Sequence, residues 1–315
     1  MKRWIKYIAV RLVYMFLTLF IITSVTFFLM NSLPGTPYSN QEKLTEKQVE
    51  VLNERYGLSD PLPVRYVTYL SNVVKGDFGI SLQFSDQPVS KLIRSRIGPS
   101  VQLGLQAVIF GTVTGIILGV FASMKQNTWI DTFCSLLAIT GRSVPNFVVA
   151  IILQSVIAIS LGLLPIGLWD EGFRSSILPT LALSISPMAD AARFIRTEMI
   201  EVLNSDYIEL ARAKGMSELQ VAFRHGLRNA LIPLLTTLGP MVVGLMTGSM
   251  VVENIFAVPG IGEQFTKSIL ADDYYFIMAM TILYSTLLVV VLFITDILYQ
   301  IIDPRIRLKG EGNNG

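Results

Sequence analysis

The sequence predicts an all-α polytopic membrane protein with six transmembrane helices. Of its 315 residues, 52% are hydrophobic and only 15% are charged, whereas about 25% of the residues of a soluble domain are charged. Apolar runs of about 20 residues, the length that a spanning helix needs, recur along the chain. The net charge of +2 at pH 7 gives no basic surface of the kind that binds nucleic acid, so no nucleic-acid partner is expected.

Six segments are predicted to cross the membrane. The first two are free of charge, the third is interrupted by Arg142 and Pro145, and the fourth is the weakest because it contains Asp190 and Arg193. In chain order the predicted spans are residues 12–33, 97–124, part of 132–164, 176–195, 231–252 and 276–295.

Both termini are predicted to lie in the cytoplasm. Lys2, Arg3, Lys6 and Arg11 precede the first span, and basic residues mark the cytoplasmic side of a membrane protein. An even number of spans returns the carboxyl terminus to the same side. The first apolar run is too long for a signal peptide and no small-residue cleavage site follows it, so we interpret it as a retained anchor.

The predicted topology divides the chain into four parts. Residues 1–33 form the cytoplasmic amino terminus and first span, 34–96 an extracytoplasmic region, 97–300 a five-helix transmembrane core and 301–315 a cytoplasmic tail. In the extracytoplasmic region, Thr45 and Gln48 predict the start of a helix that runs to Tyr56 and ends at Gly57. This helix is either a solvated cover over the outer mouth or part of a docking surface for an external protein.

A polar segment, residues 205–233, interrupts the apolar second half of the chain. Helical i, i+3, i+4, i+7 spacing relates Tyr207, Leu210, Ala211 and Lys214. Gly215 supplies the left-handed position that ends a helix, and Ser217 with Gln220 forms a capping box for the next one. The segment therefore predicts two short cytoplasmic helices that can receive a push from a cytoplasmic partner.

This polar segment resembles the coupling loop of binding-protein-dependent ABC importer permeases. The general pattern there is Glu-Ala-Ala, then Gly, then Ile-x-Leu-Pro. The matching residues are Glu209, Ala211, Ala213 and Gly215, followed by Leu231, Ile232 and Pro233. Leu210 departs from the pattern, which has Ala there, and the distance from Gly to Pro is longer than in the sugar-importer branch, as it is among peptide importers. The alternative is an ordinary amphipathic loop on the membrane surface.

Further motifs extend the resemblance along nearly the whole chain. They are Leu33-Pro34-Gly35-Thr36-Pro37, Gly76-Asp77-Phe78-Gly79-Ile80-Ser81, Ser143-Val144-Pro145-Asn146-Phe147, Glu253-Asn254-Ile255-Phe256 with Pro259-Gly260-Ile261-Gly262, and Ile302-Asp303-Pro304-Arg305. Only Thr36 departs from the family's usual residue, which is Asp. In this order the motifs are similar to those of oligopeptide and dipeptide ABC importer permeases, with the branch of oligopeptide permease B subunits as the best match.

The resemblance implies a fold like that of type I ABC importer permeases, with cytoplasmic coupling helices in a loop at 196–230. The residues it assigns to ATPase coupling are Asp206, Tyr207, Ile208, Glu209, Leu210, Ala211, Ala213, Lys214 and Gly215. It implies a second homologous permease subunit, two ATPase subunits that hold ATP and Mg²⁺, an extracytoplasmic peptide-binding protein and a peptide substrate. This chain is expected to lie in the lipid of a bacterial cytoplasmic membrane and to bind no cofactor itself.

Three rival functions stay open on the sequence alone. Nickel, metallophore and dipeptide importers share the architecture, so the substrate is less certain than the class of transporter. A proton-coupled secondary transporter would need buried acidic residues, and only Asp190 and Asp296 are candidates. A membrane enzyme is not expected, because the sequence has no catalytic motif and no Gly-x4-Gly-Lys-Ser/Thr phosphate loop. His225 is the only histidine and predicts no metal site.

A translocation path is predicted from polar and adaptable residues inside the spans. The candidates are Arg142, Asn146, Met241, Met246 and Met250. A charge within a span is costly and indicates function; Asp190 or Asp296 could neutralise Arg142, or its side chain could reach the inner interface. The methionines could form an adaptable pore wall or simply fill the packing.

Small residues are predicted to bring helices close together. Gly111, Gly115 and Gly119 recur every fourth residue on the second span, and Gly244 and Gly248 do so on the fifth. Small residues let helices approach closely in lipid. We favour packing within one subunit over an intersubunit face.

Overall fold

The structure is a computed structural model that describes residues 2–33, 45–55, 57–81, 83–84, 87–246 and 249–302. Its helices are α1 (Lys2–Ser32), α2 (Glu46–Arg55), α3 (Leu62–Val74), α4 (Val89–Met124), α5 (Trp129–Ser143), α6 (Asn146–Leu153), α7 (Phe173–Leu203), α8 (Asp206–Ala213), α9 (Glu218–Val221), α10 (Leu227–Met246), α11 (Met250–Ile255), α12 (Ile261–Leu270) and α13 (Tyr274–Ile302). Two π-helical turns, Gln154–Ser160 and Ala222–Gly226, continue α6 and α9. Strands β1 (Ile80–Ser81) and β2 (Gln87–Pro88) pair antiparallel, with Ile80 opposite Pro88 and Ser81 opposite Gln87.

The prediction of a helical membrane protein is confirmed, but the number of spans is not. Among the described residues, four helical segments are long and apolar enough to cross a membrane: Lys6–Ser32, Val89–Met124, Leu238–Ile255 and Tyr274–Ile297. A fifth span arises if the bent pair α5 and α6, with its π-helical turn, counts as one. Helix α7 contains the predicted fourth span but is not among them, so the count of six stays a prediction.

Two predicted spans are broken helices. The axis bends by 102° between α5 and the helix that starts at Asn146, because Pro145 has no N–H and forces Val144 out of the helical region; Val144 has φ −86° and ψ 123°. The predicted span 231–252 overlaps the apolar segment Leu238–Ile255, which is interrupted at Ser249, an extended residue with φ −92° and ψ 91°. Helix α10 ends at Met246, and α11 begins at Met250.

One compact unit comprises Met1–Gly98 and Gly260–Val290. Its core includes Phe276, Ile261 and Val89. The Gly-Asp-Phe-Gly-Ile-Ser motif connects the two chain segments of this unit, because the Ser81 hydroxyl donates a 2.5 Å hydrogen bond to Asp273. Burial raises the pKa of the Asp273 carboxyl, and the Ser81 hydrogen bond acts in the opposite direction. The motif therefore has a structural role in this unit.

The second unit comprises Pro99–Pro259 and Val291–Gly315, and within its described part α7 packs against α5, α6 and α10. Helix α4 also packs on α7 through three of its glycines. A Cβ atom at Gly111, Gly115 or Gly119 would lie 2.4, 2.4 or 2.6 Å from a backbone oxygen of α7. Packing within one subunit is thus confirmed for this stripe. Nothing lies within 4 Å of a Cβ at Gly244, and Gly248 lies outside the described residues.

Helix α2 occurs where the sequence predicts it. Thr45 donates its backbone N–H to the Gln48 side chain at 2.8 Å, and Gly57 has φ +66°. Tyr56 and the Leu-Pro-Gly-Thr-Pro motif beyond Leu33 lie outside the described residues, as does the terminal motif beyond Ile302.

Candidate functional site

The predicted turn between two cytoplasmic helices is formed by Gly215. It has φ +81° and donates its N–H to the Arg212 carbonyl at 2.9 Å. The capping box is confirmed, since Gln220 N–H donates to the Ser217 hydroxyl at 3.4 Å and Ser217 N–H donates to the Gln220 side chain at 3.1 Å. The second predicted short helix differs from expectation, because α9 continues through a π-helical turn into α10.

Two residues of the predicted coupling set hold α8 on the protein. Ile208 and Ala211 are buried, and their cluster includes Met199 of α7 and Val221 of α9. The other seven residues of the set are exposed: Asp206, Tyr207, Glu209, Leu210, Ala213, Lys214 and Gly215. One face of α8 therefore anchors the helix, and the other is available to a partner.

The exposed face carries large apolar side chains. Tyr207 and Leu210 of α8 are 44% and 58% exposed, and Leu219 and Phe223 beyond the turn are 54% and 44% exposed. Arg212 links the two helices through a fork, with its Nε and Nη2 atoms 3.0 and 3.2 Å from the Glu218 carboxylate oxygens. The fork connects α8 to α9, so these apolar side chains lie on one connected element.

The bend between α5 and α6 brings together two of the predicted path residues. Arg142 hydrogen-bonds to Asp190 of α7, and Asn146 accepts a 3.0 Å hydrogen bond from the Ser186 hydroxyl. Of the two acids that the sequence offered as partners for Arg142, Asp190 is the one that binds it. Beside this bend lies a cavity of about 440 Å³ lined in part by Arg142, Arg193 and Arg196.

The three predicted methionines lie at a second break. Met241 and Met246 belong to α10 and are half-buried, and Met250 starts α11 with 37% of its surface exposed. The predicted path residues are therefore not one cluster along the chain. Arg142 and Asn146 flank the bend between α5 and α6, Met246 and Met250 lie on either side of the extended Ser249, and Met241 lies within α10.

Sequence reasoning gave no side-chain partner to two carboxylates that are buried in the second unit. Asp131 accepts a fork from Arg196 at 2.6 and 2.8 Å and is 5% exposed. Glu253 is 1% exposed and accepts a 2.6 Å hydrogen bond from the Ser100 hydroxyl. The signal for Asp131 in the sequence was its place as an acid in the first turn of an apolar helix. Its partner could not be predicted, because the fourth span was expected to end before Arg196, which was therefore assigned to a loop.

Comparison with known proteins identifies close relatives over the whole chain. Over 304 residues it is 48% identical to the dipeptide transport system permease protein DppB of Lactococcus lactis subsp. cremoris (strain MG1363), covering 96% of this chain and 100% of that protein. It is 41% identical over 304 residues to the oligopeptide transport system permease protein OppB of Haemophilus influenzae (strain ATCC 51907 / DSM 11121 / KW20 / Rd), with 96% and 99% coverage.

The fold and the sequence family agree with these relatives. A chain from inward-facing structures of the MetNI methionine ABC transporter matches with a TM-score of 0.54 at 17% identity, covering 67% of this chain and 96% of that one; at this identity the match shows the fold alone. Residues 4–92 match the amino-terminal family of binding-protein-dependent transport system membrane components. Residues 111–308 match the inner membrane component itself, so the chain belongs to the family of binding-protein-dependent transport system inner membrane components.

Proposed function

We propose that this chain is a transmembrane permease subunit of an ATP-driven ABC importer for oligopeptides and forms half of the translocation pore. The observation that carries the proposal is 48% identity, along the full length, to a permease named for dipeptide transport. Relatives named for both dipeptide and oligopeptide transport match it, so peptides are favoured over nickel or metallophore complexes. Preference among peptide lengths would be set by the external binding protein.

In this proposal the other components supply energy and substrate. A second homologous permease completes the pore, an extracytoplasmic peptide-binding protein delivers peptide, and two ATPase subunits bind ATP and Mg²⁺. The exposed apolar side chains of α8, such as Tyr207 and Leu210, fit a groove on an ATPase. Since the buried face of α8 packs on α7 and α9, a push on α8 is transmitted to spanning helices.

The type I arrangement, six spans and cytoplasmic termini belong to the same proposal. The predicted path residues then act where helices can change direction. Arg142 and Asn146 flank the 102° bend, while Met246 and Met250 flank the break between α10 and α11. Alternating access would bend the chain at these breaks. Bending there disrupts fewer helical hydrogen bonds than bending an uninterrupted span would.

The energy source tests the proposed function. We expect proteoliposomes that contain the whole transport system to accumulate a labelled peptide only when ATP is present. Accumulation should survive a proton ionophore, because hydrolysis and not a gradient drives it. A nickel complex offered in place of the peptide should not be taken up. Gradient-driven peptide uptake by this chain alone would identify it instead as a secondary transporter.

A second prediction concerns the coupling turn. Gly215→Val should lower peptide uptake several-fold while the protein still reaches the membrane, because a left-handed backbone costs an L-residue about 1–2 kcal/mol and valine is β-branched. No atom lies within 4 Å of a Cβ at Gly215, so the effect comes from the backbone alone. The measurement is uptake normalised to membrane-inserted protein.

Gly162→Val is the matched control for the coupling turn. Gly162 has φ +63°, also has open space around a Cβ, and lies outside the polar segment 205–233 and outside the motifs that carry the resemblance. It should suffer the same local strain without loss of uptake. Equal uptake by the two variants would remove Gly215 from the coupling role.

A further inference from the structure

The exposed side of α3 carries no charge. Val64, Val67 and Val74 on this side are 50%, 65% and 88% exposed, and Ser71 lies between them. Arg65 is the only charged residue of this 13-residue helix. By contrast, half of the ten residues of α2 are charged. A helix that faces water normally presents charged residues on its outer side, so α2 fits water and α3 does not.

Contacts with α1 place α3 at membrane depth. The Tyr66 hydroxyl is hydrogen-bonded to the Ser24 hydroxyl at 2.6 Å, and the Tyr69 ring stacks on Phe27 with centroids 5.1 Å apart. Ser24 lies eight residues before the end of the spanning segment Lys6–Ser32, which is about 12 Å along a helix axis.

The spanning segment has little length to spare. The part of α1 beyond its last charge, Arg11, must fill a hydrocarbon core of about 30 Å, and 21 residues extend about 32 Å. Ser24 therefore lies well inside the apolar layer and not above it. Even with the length of the Tyr66 side chain taken into account, the α3 backbone lies at the boundary between headgroups and acyl chains.

The single charge of α3 is directed to the polar edge. Arg65 Nη2 donates a 2.5 Å hydrogen bond to the side-chain oxygen of Asn31, which is one residue before the end of α1. Its neighbour Tyr66 reaches the deeper Ser24. This pattern is that of a side chain which keeps its charged end in the interface while its stem crosses apolar surroundings.

The uncharged side of α3 also continues an apolar surface of α1. Phe28 is 43% exposed, and its ring lies 5.0 Å from that of Tyr66, centroid to centroid. Leu29 next to it is 62% exposed. Lipid around this candidate span would therefore extend to α3.

We propose that α3 is an interfacial helix that lies in the leaflet at the Ser32 end of α1, with Val64, Val67 and Val74 among the acyl chains. Amphipathic helices of this kind bury their apolar face about 5–10 Å into the headgroup and acyl boundary. The helix gives the unit that contains it a further attachment to the bilayer, beside α1 and the part of α13 that belongs to this unit. The inference goes beyond the proposed function and does not depend on the transported substrate.

The test compares two valines of equal exposure. Val67 of α3 and Val51 of α2 are 65% and 63% exposed, so each can be replaced by cysteine without loss of buried packing. Cys134, the only native cysteine, is first replaced by serine. Each variant is purified with the other components of its transport system, spin-labelled and placed in lipid nanodiscs. Collision rates with oxygen, which concentrates in lipid, and with a water-soluble nickel chelate are then measured by electron paramagnetic resonance.

We expect the label at Val67→Cys to favour oxygen over the nickel chelate at least fivefold relative to the label at Val51→Cys. Val64→Cys should behave as Val67→Cys does and replaces it if that variant does not accumulate. Equal access of the nickel chelate at both helices would place α3 in water and overturn the proposal. Exclusion of both reagents at residues 64 and 67 would mean that another protein covers α3, which overturns it equally.

Discussion

Gly115→Leu should prevent the chain from reaching a folded, membrane-stable state. A Cβ at this position would lie 2.4 Å from the Met188 carbonyl oxygen, 2.7 Å from the Ala191 Cβ and 3.0 Å from the Ala192 backbone nitrogen. None of these atoms belongs to a flexible side chain, so α4 and α7 must move apart. Overpacking costs about 1–3 kcal/mol where side chains can adjust, and we expect a larger loss here.

The loss at Gly115 should appear as a much lower yield of monodisperse protein and a lower midpoint of thermal unfolding in detergent. Gly98→Leu is the matched control, because Gly98 lies on the same helix with nothing within 4 Å of a Cβ. It should behave as wild type. Similar losses in both variants would mean that leucine disturbs α4 for a reason other than close packing on α7.

Asp131→Asn should produce the second largest effect. Asp131 is 5% exposed and accepts both hydrogen bonds of the Arg196 fork, together with the Asn127 backbone N–H at 3.0 Å. The substitution leaves a half-buried guanidinium without its counter-ion and loosens the start of α5 from α7. Hydrogen bonds to charged groups are worth about 1.5–3 kcal/mol each, so we expect a loss of about 2 kcal/mol in the free energy of unfolding.

Thermal unfolding of the purified protein measures this loss, and a double variant isolates it. Asp131→Asn combined with Arg196→Gln should lose less than the sum of the single variants, because each removes the same interaction. Arg174→Gln is the control, since its ion pair with Glu171 joins side chains that are 61% and 48% exposed and should contribute less than about 1 kcal/mol. Additive losses at Asp131 and Arg196 would contradict the pairing.

Local chemistry explains the elements that could be predicted from sequence. The Gly215 turn, the Ser217–Gln220 capping box and the bend at Pro145 are each fixed by a few neighbouring residues. A glycine that tolerates positive φ, a side chain that reaches its own backbone and a ring without an N–H act the same way in any fold. The stripe of Gly111, Gly115 and Gly119 was predictable in the same sense, because helical periodicity puts those residues on one face.

Composition alone was misleading for α7, and for α3 it showed a helix with a single charge but not its depth. Helix α7 includes Asp190, Arg193 and several serines, so it does not resemble a lipid-facing span, yet many of its residues are buried by other helices of its unit. Hydropathy predicts exposure to lipid, and a helix covered by protein can carry polar groups that find partners there. For α3, the proposed depth rests on contacts with α1, such as the hydrogen bond between Tyr66 and Ser24 and the stacking of Tyr69 on Phe27.

The sequence by itself determined the helical membrane class, the helix break at Pro145 and the polar segment between α7 and α10, because these depend on composition and on residues a few positions apart. Tertiary structure decided which side chains meet. In the folded chain Arg142 pairs with Asp190 and not with Asp296, and Asp131 pairs with Arg196. On α8, Ile208 and Ala211 are buried while Tyr207 and Leu210 are exposed. Such pairings join residues up to 65 positions apart, and their geometry depends on how helices pack, which no local pattern encodes.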